Sequence, residues 1–225
     1  MRRGVNMVYI VENNGVYGLT KGQFSATADR GSKSKKGVAN ADNPIDLAAL
    51  ALQLGATYVA RGFSGDKAQL VPLIEGAIRH PGAAFIDVVS PCVAFNNHAG
   101  STKSYDYVRE HNEAVSRIDF IDLAKEVSAS PAPGETIDLP QADGSVMRLR
   151  KLRETFDPTD RLAALSLVQD SSARGEVATG LFYIQQEAAD LHAALNTPAT
   201  PLNRLAEAEL CPGAGALKKI NAALR

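Results

Sequence analysis

The sequence predicts an α/β fold, a parallel sheet flanked by helices. Three observations carry this. Over the first hundred residues short apolar runs alternate with helix-like segments, the pattern of a parallel sheet with helical crossovers. Apolar residues make up 45% of the 225 and charged residues 22%, a balance that supports a real core in one domain, or in a domain with an extension. The two most unusual polar stretches, 13–23 and 90–105, each follow an apolar run, and parallel sheets hold their ligands beyond the carboxyl ends of their strands.

Met7 to Val11 reads as a buried strand, ended by Asn and Gly. Residues 22–42 are polar and aperiodic, a long loop whose most basic part is Ser32 to Lys36. Asn43-Pro44 reads as a helix start, with Ile45 to Leu54 helical and Gly55 closing it. A short strand over Thr57 to Ala60 precedes a second helix, Asp66 to Arg79. Leu70, Leu73, Ile74 and Ile78 share one side of that helix, and Pro81-Gly82 ends it. Ala83 to Val89 is the next strand.

Beyond Tyr105 the character changes. Asp106 to Ser128 is expected to be helical, and Ser130 to Gly134 breaks it. Asp143-Gly144 lies between two strand-like runs, a hairpin signal. Asp160 to Asp170 reads as a helix, Val177 to Ile184 as a strand, and Leu217 to Leu224 as a short terminal helix. Residues 1–129 are taken as the main domain and 130–225 as an extension that wraps it or contacts a partner.

The net charge of −1 gives no electrostatic case for nucleic acid. No apolar run approaches the roughly 18–20 residues that span a bilayer. The N-terminus lacks the apolar core of a secretory signal, so the expected location is cytoplasmic. Cys92 and Cys211 are the two cysteines, which is no disulfide framework, and neither lies in a Cys-x-x-Cys pair.

The stretch Val-Tyr-Ile-Val-Glu-Asn-Asn-Gly-Val-Tyr-Gly-Leu-Thr-Lys-Gly-Gln, residues 8–23, is the most informative. Asn-Gly between apolar runs signals a hairpin. However, Leu-Thr-Lys-Gly-Gln does not alternate as a return strand should, and two further glycines suit a backbone that something approaches closely.

From Asn14 onward this stretch resembles the thiamine-diphosphate-binding β subunit of 2-oxoacid:ferredoxin oxidoreductases, particularly the 2-oxoglutarate type. The resemblance continues in Asn43-Pro44, in Ser90-Pro91-Cys92-Val93-Ala94-Phe95-Asn96-Asn97, in His98 and in Gly100 to Tyr105. It implies a thiamine-diphosphate-binding domain, present in part. Asn14, through its side-chain oxygen, and Val16, through its carbonyl, would be Mg²⁺ ligands, since Mg²⁺ takes hard oxygens. Gly15 and Gly18 would let the backbone close, Leu19 and Thr20 would line the cofactor pocket, and Asn13 would be structural. A lone loop lysine is ordinarily solvated, but the resemblance makes Lys21 the group that recognises the carboxylate of a 2-oxo acid and leans it toward 2-oxoglutarate. Cys92, taken alone an inert thiol, would be one of four thiolates on a [4Fe–4S] cluster. Cys211 matches no ligand. His98 reads as a loop histidine making one hydrogen bond, with a proton donor or substrate contact as the sharper alternative.

The same resemblance implies an α subunit, ferredoxin and CoA as partners. It also marks what this chain does not contain: the family's Gly-Asp-Gly, whose Asp ligates Mg²⁺, and three cluster cysteines. The expectation is an N-terminally shortened chain, inactive by itself, with an unpaired apolar sheet edge. The alternative function is a non-catalytic interaction module that docks to an α-type partner.

Overall fold

A computed structural model of the chain describes residues 1–33, 37–121, 136–140, 146–151, 156–211 and 213–224. It divides into two compact units, Met1–Leu191 and His192–Arg225.

The first unit opens with β1 (Met7–Asn13) and a small ribbon, β2 (Val16–Tyr17) and β3 (Gln23–Phe24). It continues through α1 (Leu47–Gln53), β4 (Tyr58–Phe63), α2 (Lys67–Arg79) and β5 (Ala83–Val89). Then come α3 (Tyr105–His111), β6 (Asn112–Ala114), β7 (Ser116–Ile121), β8 (Thr136–Pro140) and β9 (Val146–Lys151). α4 (Arg161–Ala173) and β10 (Val177–Ile184) complete it. A short helix α5 (Leu191–Ala194) begins at the unit boundary, and α6 (Glu207–Leu210) and α7 (Gly213–Ala223) follow in the second unit. Leu217 and Ile220 on α7 are exposed.

The main sheet has the order β1-β5-β4-β10-β6. β1, β5 and β4 run parallel, as the alternating pattern predicts; β10 is antiparallel to β4 and parallel to β6. Branched and aromatic residues fill β4 and β5, and every residue of both strands is buried. α1 and α4 cover one face through Ala48, Leu52, Leu167 and Val168 against Val59, Phe85 and Phe182. α2 and β7 cover the other through Leu73, Ala77 and Ile118 against Tyr58, Ile86 and Leu181. β1 is an edge strand, with Met7, Tyr9 and Ile10 exposed, which matches the expected apolar edge.

The structure corrects several expectations. α1 starts at Asp46, whose side chain accepts the Ala49 N–H, and not at Asn43-Pro44. On α2 the buried stripe is Gln69, Leu73, Gly76 and Ala77, while Ile78 is exposed. Leu70, Leu73 and Ile74 pack on the core as expected, joined by the small residues Gly76 and Ala77, and of the four expected residues Ile78 alone turns outward. The expected helix over Asp106 to Ser128 stops at His111, because residues 112–114 pair with 177–179 and residues 116–121 pair with β9. β10, read as part of an extension, is an interior strand of the sheet. β8 and β9 pair antiparallel as expected. Their Asp143-Gly144 connection, the Ser130 to Gly134 break and Ser34 to Lys36 lie outside the described residues.

His80 follows α2 and is buried, its Nε2 2.8 Å from the Thr57 hydroxyl and its ring 5.6 Å from that of Tyr58. Burial pushes its pKa down to about 4. The folded value lies below the unfolded one of about 6.5, so the unfolded chain takes up the proton first. The stabilisation is complete above about pH 6.5 and is lost as pH falls from there through about 4, at most roughly 3 kcal/mol. The wild-type melting temperature should therefore fall across that window more steeply than that of His80→Gln. Parallel profiles would show that His80 does not set the acid limb.

Candidate cofactor site

The site is built where β1 ends. Asn13 is buried; its Nδ2 donates to Asp87 Oδ1 at 3.0 Å and its Oδ1 accepts from Thr27 Oγ1 at 2.6 Å. It is a structural anchor, as expected. Asn14, one residue on, accepts the Val16 N–H on its side-chain oxygen at 3.0 Å, an Asx turn. Gly15 stands at φ +73°, and a Cβ there would lie 2.7 Å from Asn96 Nδ2. Both conditions call for glycine.

The chain then forms the ribbon. Val16 and Tyr17 pair with Phe24 and Gln23, and Gly15 O accepts from Ser25 N at 3.2 Å. This corrects the expectation that Leu-Thr-Lys-Gly-Gln leads into no return strand. The return strand exists, and the turn lies over residues 18–22 rather than at Asn14-Gly15. In an antiparallel pair alternate residues face away from the ladder. Val16 is such a residue, as its N–H bond to Asn14 shows, so its carbonyl opens on the same side as the Asn14 side chain. These are the two oxygens singled out from the sequence.

At the ribbon tip Leu19 is 98% exposed. Thr20 hydrogen-bonds Gln23, and Lys21 is exposed at φ +73°, its N–H donating to Gly18 O at 3.1 Å. A lysine in the left-handed region is held against its preference, at a cost of roughly 1 kcal/mol.

The second stretch meets the first, as their positions after strands imply. Ser90 N donates to Asn13 O at 3.0 Å. Residues 92–96 form one tight turn, with Phe95 N and Asn96 N both donating to Cys92 O. Cys92 Sγ lies 3.8 Å from where a Gly18 Cβ would stand, and the Phe95 ring packs under Gly22. His98 is exposed and its Nδ1 lies 2.9 Å from Ala99 O, the single bond of the plain reading. Cys211 is exposed in the second unit.

Two cavities flank the turn. One, of about 180 Å³, is lined by Gly15, Val16, Phe24, Lys33, Asn96 and His98. The other, of about 190 Å³, is lined in part by Asn13, Asp29, Arg61, Asp87 and Lys103. Lys103 pairs with Asp29 at 3.0 Å, and its stem packs against Gly15. Arg61, buried, donates from Nε to Asp87 at 2.8 Å and from one terminal nitrogen to both oxygens of Asp46 at 2.9 Å. Burial opposes the guanidinium charge, but Asp46 and Asp87 more than offset it and hold Arg61 charged.

Sequence reasoning gave Asn96, Lys103 and the Arg61 network no role. A signal for the network was present: Arg61 and Asp87 are opposite charges inside two apolar runs, and β4 and β5 pair those two residues.

Residues 1–88 match the thiamine pyrophosphate enzyme C-terminal TPP-binding domain. The chain is 50% identical over 100 residues to a 2-oxoacid:ferredoxin oxidoreductase subunit beta of a Sulfolobus species, covering 43% of this chain and 32% of that one. The 2-oxoglutarate synthase subunit KorB of Methanocaldococcus jannaschii is 33% identical over 157 residues, 68% of this chain and 58% of that one. Among solved structures, the 2-oxoglutarate:ferredoxin oxidoreductase of Magnetococcus marinus, with 2-oxoglutarate, coenzyme A and succinyl-CoA bound, superimposes with a TM-score of 0.64. It is 28% identical, over 87% of this chain and 52% of that one. The chain is a relative of the 2-oxoacid:ferredoxin oxidoreductase β subunits. It spans about a third of the first curated relative it matches.

The residues present fit one of the groups this family implies and not the other. Asn14 Oδ1 and the Val16 carbonyl are hard oxygens of one Asx turn, a fit for part of a Mg²⁺–diphosphate site. A [4Fe–4S] cluster needs four soft ligands. Cys92 is the one cysteine of the unit Met1–Leu191, and among the described residues no group of three His, Cys, Asp or Glu could hold a metal ion. Among the described residues no helix is long and apolar enough to cross a membrane.

Proposed function

We propose that this chain supplies part of the thiamine-diphosphate site of a 2-oxoacid:ferredoxin oxidoreductase that converts 2-oxoglutarate, or a related 2-oxo acid, to its acyl-CoA. Its partner subunit would be of the α type, and ferredoxin the electron acceptor. The observation that supports this most is the coincidence of two things. The matched family segment, 1–88, contains the Asn14–Gly15–Val16 turn, and in that turn the Asn14 side-chain oxygen accepts the Val16 N–H.

When bound, thiamine diphosphate supplies an electron sink for loss of CO₂ from the keto acid. Asn14 and Val16 offer oxygens to the diphosphate's Mg²⁺. Gly18 to Thr20 form the tip beside the cofactor. Lys21, on that tip, would offer its ammonium to the carboxylate of the 2-oxo acid, a suitable partner for a small dianion.

Lys21→Gly separates charge from fold. Glycine accepts φ +73° without strain, so stability should hold or rise slightly. The test uses the chain assembled with its α-type subunit and handled anaerobically, following 2-oxoglutarate-dependent dye reduction. The KM for 2-oxoglutarate should rise about tenfold or more, the scale of one charge-assisted contact, with thiamine diphosphate still bound. An unchanged KM removes Lys21 from substrate recognition. Failure of the wild-type assembly to bind thiamine diphosphate removes the whole reading and favours an interaction module.

A further inference from the structure

Three residues of one turn each meet one glycine of the motif that follows β1. Cys92 faces Gly18, Phe95 lies under Gly22, and Asn96 abuts Gly15. Of these, Asn96 makes the directed contact. It is 6% exposed, and its Nδ2 donates to the Asn14 main-chain carbonyl at 2.8 Å. Its own N–H is bound to Cys92 O at 2.8 Å, so its position is fixed from the β5 side of the sheet. Lys103, held by Asp29, closes the other flank of Gly15.

We infer that Asn96 is a positioning residue for the Asn14–Val16 oxygen pair. The argument is geometric. Asn14 has two oxygens. If its main-chain carbonyl were left free, the peptide before Gly15 would be free to rotate, because glycine offers little resistance. That rotation would separate the Asn14 side chain from the Val16 carbonyl. The Asn96 amide removes this freedom from outside the turn, and it occupies the space that a side chain at residue 15 would need. Holding two ligand oxygens in place before the ion arrives lowers the ordering cost of binding. The same contact makes the Cys92 turn and the Asn14 turn one body. The ligand role of the oxygen pair rests on the function proposed above; the clamp itself does not.

Asn96→Asp tests this with little change of volume, since a carboxylate cannot donate to the Asn14 carbonyl. Asn96→Ala is the second variant. In the chain alone, hydrogen exchange of peptides spanning 13–24 should quicken at least threefold in both variants, with peptides of β4 and β5 unchanged. In the assembled enzyme the Mg²⁺ and thiamine diphosphate concentrations for half-activation should rise about tenfold, with kcat at saturation within twofold of wild type. Unchanged exchange over 13–24 in Asn96→Asp overturns the clamp. Quickened exchange with unchanged Mg²⁺ dependence overturns the positioning role. A wild-type assembly that ignores thiamine diphosphate fails the proposed function, and the exchange result still decides the clamp.

Discussion

Replacing Asp87 by Ala is expected to destabilise the unit Met1–Leu191 by roughly 3–5 kcal/mol, the range for breaking a buried ion pair by removing one partner. Asp87 sits in the middle of β5 with its side chain 1% exposed. One of its oxygens accepts Arg61 Nε and the other accepts Asn13 Nδ2. Truncation leaves a buried guanidinium with one of its two counter-charges and a buried amide with no acceptor. The unpaired groups, rather than the lost attraction, set the size of the effect. Asp87→Asn should lose less, because an amide keeps one acceptor oxygen. Urea unfolding of the chain measures both. A loss below about 1 kcal/mol for Asp87→Ala, the size of an exposed pair, would show that water reaches Arg61 after all. The consequence extends to the candidate site, since Asn13 is the anchor from which the Asn14 turn departs.

The strands of the sheet were legible in the sequence for a plain reason. β4, β5 and β10 are short, apolar and branched, and burial on both faces leaves little else they could be. The boundaries of β5 and β10 fall where expected. What failed was decided by tertiary contact. Asp46 caps α1 while its carboxylate also holds Arg61, so the cap was chosen by a partner fifteen residues away. Asn43-Pro44 carries a local signal of its own, but the Asn43 side-chain oxygen is turned to Arg30 Nη1 at 3.4 Å rather than to a helix N–H. The charged segment after Tyr105 looked helical because charged and apolar residues mix there. Its continuation carries a period of two instead: Ile118 is buried and Phe120 packs beside it.

The site divides the same way. Asn14, Val16 and Lys21 were singled out by a resemblance; the structure adds that Asn14 closes an Asx turn on the Val16 N–H and that Lys21 stands at a positive φ. Asn96 was part of a quoted motif yet had no role, since its partner is a main-chain carbonyl 82 residues away. Composition and spacing carry no trace of such a bond. The Arg61 network, by contrast, left a visible trace: charges inside buried strands cost too much to stand alone.

Gly180→Ala is the second large effect, expected to cost roughly 3–5 kcal/mol from backbone strain and overpacking together. Gly180 lies in β10 at φ +122°, next to a register shift between Leu181 and Tyr183. A Cβ there would come within 2.5 Å of Ser116 Oγ and 3.0 Å of the Ser116 N and O. The hydroxyl can turn away; the backbone cannot. Ser116 is pinned by three bonds, its Oγ accepting Leu181 N at 2.9 Å, the same hydroxyl donating to Leu181 O at 3.3 Å, and its carbonyl accepting Gln69 Nε2 at 3.2 Å. Ser116→Ala should therefore rescue Gly180→Ala only slightly. Because β10 is an interior strand, the damage should spread through the sheet, and intrinsic tyrosine fluorescence and far-ultraviolet circular dichroism should report one shared, lowered melting transition. A sheet transition that kept the wild-type midpoint, with only a separate early step, would mean that residues 177–184 do not belong to its core. It would return them to the extension that the sequence alone suggested.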